Sequence, residues 1–254
     1  TGLLANLLCE RGHHVTWWTS TFDHEGKHQR FPMSTMIDVH PHLRIQLLYG
    51  PSYTKNISLR RICNHRKVAQ EFRRLSPSET TPDIILCSMP TTELSLAATE
   101  YGRENEVPVI LDMRDMWPDI FLDRLPSVFP YWLKALVFSP FTKELRQACS
   151  RAAAICGITP GFVDWGLQYA GRAPTARDRH FWLGYTGVIP NDTLTRKGFE
   201  FWAQHGIHKE NKDFIACYLG TMSDKLEMET VIEAAQLLGL GRNTLTRKIQ
   251  ELGI

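Results

Sequence analysis

The hydrophobic and polar positions of this chain fall into two alternating patterns. Short runs rich in apolar and β-branched residues, bounded by turn residues, are typical of strands buried in a parallel sheet. These runs lie at 13–20, 43–49, 84–88, 107–112 and 152–158. Segments in which apolar side chains recur every three or four residues predict helices, and they lie at 3–8, 56–75, 92–101 and 131–151. Because strands and helices alternate, we predict a Rossmann-like, doubly wound parallel α/β sheet.

Two polar segments that contain glycine and proline interrupt this alternation. Residues 21–40 are predicted to be a loop, and residues 171–212 a linker leading into a second domain. After the linker, the apolar run 213–219 with a following turn and helix predicts the first unit of a second Rossmann-like sheet. We therefore divide the chain into a first domain at 1–170, the linker, and the beginning of a second domain at 213–254. Because the sequence opens in a helical pattern, we expect the first strand of the first domain to be missing.

Composition excludes several classes of protein. The chain has 254 residues, of which 43% are hydrophobic and 22% charged, and its net charge of +2 does not suggest a nucleic-acid-binding surface. Six cysteines are scattered without a C-x-x-C pair, which favours a reducing, cytoplasmic compartment and argues against a metal cluster. No apolar stretch reaches the roughly 18 residues that a membrane span requires, and there is no signal peptide.

Ligands of open α/β sheets bind at the carboxyl ends of the strands, so the loops that follow the strands are the candidate sites. These loops belong to three sequence runs, RGHHVTWWTSTFDH at 11–24, PDIILCSMPTTELSLAA at 82–98 and VPVILDMRDMWPDIFLD at 107–123. Together they resemble the retaining family-four glycosyltransferases of cell-surface polysaccharide synthesis. GITPGFVDWGL at 157–167, RHFWLGY at 179–185 and FIACYLGTMSDKLEMETVIEAA at 214–235 fit the same family in the same order.

The resemblance covers roughly residues 1–238 and implies a fold and a reaction. The fold is GT-B, in which two Rossmann-like domains face each other across a cleft. The first domain binds the acceptor and the second binds a nucleoside-diphosphate sugar, whose sugar is transferred with retention of configuration. In this branch the acceptor is usually a saccharide on a polyprenyl diphosphate lipid. No metal or cofactor is expected, because helix N-termini and basic side chains neutralise the leaving diphosphate.

The most specific part of the resemblance is the loop at 111–119. Asp112, Arg114 and Asp115 are the predicted catalytic residues, which would orient the acceptor hydroxyl and the transferred sugar, and Trp117 is predicted to contact the acceptor. The alternative is a structural salt bridge that caps the sheet. Many members of the family carry a catalytic histidine near this loop, and none occurs here.

Two further loops hold the other predicted acceptor-binding residues. After the first strand come Asp23, His24 and Lys27, of which the histidine and lysine would contact an acceptor phosphate. The alternative is a solvated polar loop. Thr91, Thr92 and Glu93 open a helix, where hydroxyl groups often serve only as N-caps.

The donor site is predicted at Gly220 and Thr221, where a glycine before a helix lets a diphosphate approach backbone N–H groups. The alternative is a plain tight turn, and no G-x-G-x-x-G or P-loop motif is present. We expect the later half of the second domain to be missing, and therefore expect little or no sugar transfer by the chain alone.

Membrane contact is a further expectation. Basic residues lie on or beside the predicted helix at 56–75, and an aromatic-rich segment follows at 121–133. Such a combination suits a protein that lies peripherally on the anionic inner face of the plasma membrane. A solvated helix face and a core segment explain it equally well. The basic residues are Arg60, Arg61, Arg66, Lys67, Arg73 and Arg74.

The end of the chain resembles a different family. Residues 233–253 are similar to the Fis-type helix-turn-helix that ends nitrogen-regulation transcription activators, with helices at 232–238 and 243–252. This resemblance implies DNA contacts by Arg242, Asn243, Thr244, Arg247 and Lys248. The alternatives are a DNA-binding module and an accidental or recombined end on a truncated coding region. We favour the second, and do not expect a nucleic-acid partner, because nothing else in the chain suggests transcription.

Overall fold

The computed structural model describes residues 2–122, 130–184, 190–208 and 233. It divides the chain into two units, Thr1–Gly184 and Tyr185–Ile254. The helices of the first unit are α1 (Gly2–Glu10), α2 (Leu59–Leu75), α3 (Thr92–Glu104), α4 (Asp119–Leu122), α5 (Tyr131–Arg151) and α6 (Pro160–Ala170), with a 3₁₀ turn at Ser76–Ser78. The described part of the second unit contains α7 (Asp192–Gln204). None of the described helices is long and apolar enough to cross a bilayer.

The strands of the first unit form three sheets. They are β1 (Val15–Ser20), β2 (Phe22–Asp23), β3 (His28–Gln29), β4 (Thr35–His40), β5 (Leu43–Leu48), β6 (Ile85–Ser88), β7 (Val109–Met113), β8 (Ala154–Gly157) and β9 (Arg179–His180). One sheet has the order β1-β5-β4, in which β1 and β5 are parallel and β4 is antiparallel to β5. Strands β2 and β3 form a small hairpin.

The main sheet has four strands in the sequential order β6-β7-β8-β9, and every neighbouring pair is parallel. Parallel neighbours need a crossover connection, and α3, α5 and α6 supply these connections. The three helices pack side by side, α3 against α5 and α5 against α6. The predicted α/β class with a parallel sheet is therefore confirmed.

The larger of two apolar clusters among the described residues joins the main sheet to these helices and to the first sheet. Leu111, Met113, Leu145 and Ile155 are fully inaccessible to solvent in this core. Helix α2 extends the core, since the ring of its Phe72 lies 5.0 Å from that of Trp18 on β1. Because α2 also packs against α3, the two sheets lie against the same group of helices.

Two segments differ from the sequence-based prediction. The predicted loop at 21–40 contains β4, a half-buried strand that pairs with β5. Polar residues at its exposed end obscure the alternation of apolar and polar positions that is typical of a strand. The predicted linker at 171–212 contains β9 and α7. Helix α7 begins where the side chain of Asn191 accepts a hydrogen bond from the backbone N–H of Leu194, a cap that outweighs the loop-forming residues before it.

Candidate functional site

Contacts between loops place several strand ends at one edge of the first unit. The ring of Phe22, just after β1, lies 4.5 Å from that of Tyr53, in the loop after β5. Helix α2 approaches the first turn of α3, which follows the β6 loop, since Nδ1 of His65 lies 4.0 Å from Oε2 of Glu93. The hydroxyl of Ser88, at the end of β6, donates a hydrogen bond of 3.0 Å to Asp112 on β7. These largely buried side chains therefore connect the loops singled out from the sequence to neighbouring elements.

Asp112 is a buried carboxylate at the carboxyl end of β7, with only 7% of the residue exposed. Its Oδ2 accepts hydrogen bonds from Ser88 and, at 2.5 Å, from Nε of Arg114, whose side chain is 39% exposed. Burial of a carboxylate is costly unless it is paired, and Arg114 supplies the pairing. The structure thus brings together two of the three predicted catalytic residues as an ion pair at the strand end.

Asp115 follows this pair on the same loop and is half-buried. It forms no hydrogen bond or ion pair with any residue that the structure describes. Asp115 therefore differs from Asp112, because its carboxylate oxygens have no partner among the described residues.

Trp117 packs within an aromatic group at the base of the same loop. Its ring lies 4.4 Å from that of Phe121 and 5.6 Å from that of Phe141 on α5, both in edge-to-face geometry. The indole Nε1 is inaccessible to solvent and has no hydrogen-bond partner in the described part of the chain. A third ring, that of Phe138, lies 6.4 Å away, so the described ring contacts of Trp117 are with phenylalanines of the fold.

Asp119 attaches the loop to α6. Its two carboxylate oxygens accept hydrogen bonds from Nε1 of Trp165, at 2.8 Å, and from the hydroxyl of Tyr169, at 2.6 Å. Charged acceptors form strong hydrogen bonds, so this contact holds the loop that carries Asp115 in place. No local pattern predicts this contact, because the partners lie 46 and 50 residues further along the chain.

A second polar group forms where the β1 and β5 loops meet the start of α2. Nδ1 of His24 lies 2.7 Å from the hydroxyl of Tyr53 and 3.3 Å from Nζ of Lys27. Lys27 donates a 2.5 Å hydrogen bond to the side chain of Asn56, and Arg61 donates one of 2.8 Å to the backbone carbonyl of the same asparagine. The structure thus brings the predicted pair, His24 and Lys27, together with Arg61 on α2 and Asn56 before the helix.

Sequence reasoning missed Tyr53 and Asn56 and noted Arg61 only as part of a basic helix. The available signal was the position of Tyr53 after a predicted strand, because the loop after β5 is also a strand-end loop.

Asp23 is occupied within its own turn. Its Oδ1 accepts hydrogen bonds from the backbone N–H groups of Glu25, at 3.0 Å, and Gly26, at 3.2 Å. These two bonds lower the pKa of Asp23 below its ordinary value. The carboxylate shapes the β2–β3 turn and lies beside His24 along the chain without contacting its ring.

Thr91, Thr92 and Glu93 open α3, and none of them lies free on the surface. Thr91 is the N-cap residue but makes no side-chain cap hydrogen bond. Thr92 is fully buried and donates a 2.8 Å hydrogen bond to Glu144 on α5. Glu93 is 5% exposed, and its Oε1 has no hydrogen-bond partner in the described part of the chain.

The close approach of His65 to Glu93 is not an ion pair at neutral pH. Burial, followed by the nearby charges of Arg61 and His24, lowers the pKa of His65 to about 4, so the ring is neutral. Burial, together with the neighbouring carboxylate of Glu144, raises the pKa of Glu93 to about 7. Buried titratable groups with displaced pKa values are common at functional sites, and Arg61 links this pair to the His24 and Lys27 group, since its Nε donates a 3.4 Å hydrogen bond to Nε2 of His65.

The predicted donor residues Gly220 and Thr221 and the predicted DNA contacts lie outside the described residues. Those contacts are Arg242, Asn243, Thr244, Arg247 and Lys248. Within the described ranges, no group of three or more His, Cys, Asp or Glu side chains is placed to hold a metal ion.

Comparisons with known proteins give a family match and structural similarities. The model of the Fis family of bacterial regulatory proteins matches residues 230–252, a segment too short to place the whole chain in that family. No curated protein matches the sequence. A sucrose-phosphate synthase of Thermosynechococcus elongatus is structurally similar, with a TM-score of 0.44 and 11% identity over 80% of this chain and 92% of that one. A similarity of this size supports no argument about fold or function.

Proposed function

We propose that the chain belongs to a glycosyltransferase that transfers a sugar, with retention of configuration, from a nucleoside-diphosphate sugar to a lipid-linked saccharide in surface polysaccharide synthesis. The observation that carries the proposal is the strand-end edge of the first unit. There, the available carboxylate of Asp115 lies beside the buried Asp112–Arg114 pair. The resemblance of residues 1–238 to family-four glycosyltransferases supports the same reaction.

In this proposal, residues 1–170 bind the acceptor, residues 171–212 link the domains, and residues 213–254 begin the donor domain. Asp115 accepts the hydrogen bond of the acceptor hydroxyl that attacks the sugar, and so orients that oxygen. The Asp112–Arg114 pair holds the loop, and Arg114, which is partly exposed, faces the developing negative charge of the leaving group. Gly220 and Thr221 bind the donor diphosphate through backbone N–H groups.

Contact with a membrane surface is part of the proposal, and an apolar face of α5 supports it. Trp132, Leu136 and Val137 are 67%, 62% and 59% exposed. The spacing of four residues places Trp132 and Leu136 on the same face of the helix, and Val137 follows Leu136 in the chain. Exposed aromatic and aliphatic side chains on one helix face suit the interfacial region of a bilayer.

Replacing Asp115 with alanine is expected to weaken binding of a polyprenyl-diphosphate-linked saccharide by about 10- to 100-fold, the range for a lost hydrogen bond to a charged group. Titration calorimetry with a short-chain, water-soluble acceptor measures the dissociation constant. Because Asp115 has no partner among the described residues, the thermal unfolding temperature should not change.

Asp83→Ala is the matched control. Asp83 is exposed and precedes β6, at the opposite end of the strand from Ser88, so acceptor binding should be unchanged. Equal affinity of wild type and Asp115→Ala would remove the role proposed for this loop. Failure of the wild-type chain to bind any lipid-linked saccharide, in the presence or absence of nucleotide sugars, would contradict the proposed acceptor function.

A second candidate function is DNA binding, which the Fis-family match at 230–252 supports. If this segment binds DNA, replacing both Arg242 and Arg247 with alanine should weaken binding to a duplex and lower the slope of log K against log salt by about 2. Fluorescence anisotropy at several salt concentrations measures both quantities. The double variant Arg103→Ala/Arg177→Ala removes the same charge from exposed positions outside the segment and should retain binding. No binding at low salt would exclude this function.

A further inference from the structure

Two cations near the start of α2, Lys27 in the turn between β2 and β3 and Arg61 on the helix, lack an acidic partner, unlike most of the other basic residues of α2. Further along α2, Lys67 and Arg74 bind Glu71, and Arg73 binds Glu100. Lys27 and Arg61 instead bond to neutral groups, namely the ring nitrogens of His24 and His65 and two oxygens of Asn56. No carboxylate in the described part of the chain forms an ion pair with either cation.

These cations are partly buried and close to one another, so their positive charge is only partly screened by solvent. Their effect is seen at His24, whose pKa is lowered first by burial and then by the charges of Lys27 and Arg61. The first turn of α2 adds to this field, because it contains no acidic residue to offset the positive end of the helix dipole. An ammonium, a guanidinium, an imidazole and a helix N-terminus are the groups that bind phosphate oxygens in proteins.

Apolar side chains lie beside the same charges. Ile57 and Leu59, which flank the N-cap residue Ser58, are 73% and 80% exposed. They stand between Asn56, which accepts hydrogen bonds from both cations, and Arg61. Residues 56–61 therefore contain both a cation that suits a phosphate group and exposed apolar side chains that suit the hydrocarbon chain of the same ligand.

We propose that the start of α2 binds the phosphate group of an amphiphilic ligand, with Lys27, Arg61 and His24 on the phosphate and Ile57 and Leu59 on the hydrocarbon chain. The assignment deepens the proposed function and rests on it in one respect: in a glycosyltransferase acting on a lipid-linked saccharide, this site holds the acceptor phosphate. Tyr53 positions His24 through the 2.7 Å hydrogen bond between their side chains.

The experiment is a titration of the 254-residue chain with ethyl phosphate and octyl phosphate, which share a head group and differ in chain length. Lys27→Gln and Arg61→Gln are each expected to weaken binding of both probes about 10-fold or more, the effect of removing one charge-assisted hydrogen bond. Octyl phosphate should bind on the order of 10-fold more tightly than ethyl phosphate, since two or three buried methylene groups suffice for that difference. Ile57→Ser/Leu59→Ser should abolish this preference and leave ethyl phosphate binding unchanged.

Arg60→Gln is the matched control, because it removes the same charge from the neighbouring, exposed position of α2. Equal loss in Arg60→Gln and Arg61→Gln would show diffuse attraction and overturn the site. Equal affinity for the two alkyl phosphates would overturn the part assigned to Ile57 and Leu59. Circular dichroism of each variant verifies the fold, and Lys27→Gln, on a separate segment from α2, provides a second variant if Arg61→Gln unfolds.

A second binding experiment, with phosphatidic acid vesicles, distinguishes two sources of such a phosphate. Binding to phosphatidic acid vesicles that Arg61→Gln abolishes would identify a bilayer head group, and binding to octyl phosphate alone would identify a single phosphorylated lipid. Octyl phosphate binding without any saccharide binding would retain this site and remove the glycosyltransferase function. Saccharide binding that survives both Lys27→Gln and Arg61→Gln would remove this site alone.

Discussion

Replacing Asp178 with alanine is expected to lower the free energy of unfolding by about 3 to 5 kcal/mol, the range for breaking a buried ion pair from one side. The side chain of Asp178 is completely buried, and Arg172 binds both of its oxygens, with two nitrogen–oxygen distances of 2.7 Å. The same oxygens accept hydrogen bonds from the backbone N–H of Ile155 on β8 and from Thr175. Hydrogen bonding by Arg172 therefore holds the pKa of Asp178 far below its ordinary range.

The decrease in the free energy of unfolding is large because alanine leaves several groups without partners. Arg172 becomes an unpaired cation with a quarter of its side chain exposed, and the N–H of Ile155 loses its acceptor inside the sheet. Urea unfolding measures the change, with Asp83→Ala, at an exposed site, as a control expected to stay within about 0.5 kcal/mol of wild type. Asp178→Asn retains an acceptor and should lie between the two. A loss for Asp178→Ala no greater than that for Asp83→Ala would contradict the structural role given to this carboxylate.

The second large effect concerns pH. Replacing His65 or Glu93 with glutamine is expected to change the pH dependence of stability in opposite directions. The pKa of His65 falls from an ordinary 6.5 to about 4, and that of Glu93 rises from 4.5 to about 7. Each displacement corresponds to about 3 kcal/mol of stability that depends on pH.

The sign follows from which state binds more protons. Between pH 4 and 6.5 the unfolded chain protonates His65 and the folded chain does not, so this residue makes stability rise with pH. Between pH 4.5 and 7 the folded chain retains the proton on Glu93 and the unfolded chain loses it, so this residue makes stability fall with pH. In the wild type the two slopes largely offset each other.

In each single variant, only the other residue of the pair still contributes to the pH dependence of the free energy of unfolding. Relative to wild type, Glu93→Gln should gain about 3 kcal/mol as pH rises from 4.5 to 7, and His65→Gln should lose about 3 kcal/mol as pH rises from 4 to 6.5. Urea unfolding at four pH values across this range measures both differences. His13→Gln and Glu104→Gln, at exposed positions, are controls that should run parallel to wild type. The assigned protonation states would be contradicted if the difference in stability from wild type changed with pH in the same direction in both variants.

Local sequence patterns predicted the type and order of most elements correctly. Helix α5 occupies the predicted residues 131–151, and β5, β6 and β7 lie within one or two residues of their predicted ends. These elements have strong periodicity or continuous apolar runs, which depend on near neighbours in the chain. Strand β4 was missed because its pairing with β5 compensates for a weak local pattern.

The candidate site was predicted in part. Sequence position placed Asp112, Arg114 and Asp115 at a strand end, and the structure adds that Asp112 and Arg114 form a pair while Asp115 stays available. The pairing partners of His24 and Glu93 were not predictable, because Tyr53 and His65 lie 29 and 28 residues away along the chain. Such contacts depend on how α2 packs in the folded protein, and short-range sequence patterns do not predict that packing.

The sequence by itself determined that the chain alternates strands with helices and that polar residues gather after three of the strands. Both properties are local, since burial of apolar side chains at regular spacing selects the element and chain order selects the loops. The tertiary structure alone decided which of those polar residues are engaged in the fold and which remain available. Asp23 and Thr92 are held by hydrogen bonds within the protein, and Lys27 and Arg61 are held by hydrogen bonds to neutral groups but have no acidic partner among the described residues. Asp115 forms neither a hydrogen bond nor an ion pair with any residue that the structure describes. The physical reason is that an ion pair or hydrogen bond requires two groups within about 3 to 4 Å of each other, and packing, not spacing along the chain, sets that distance.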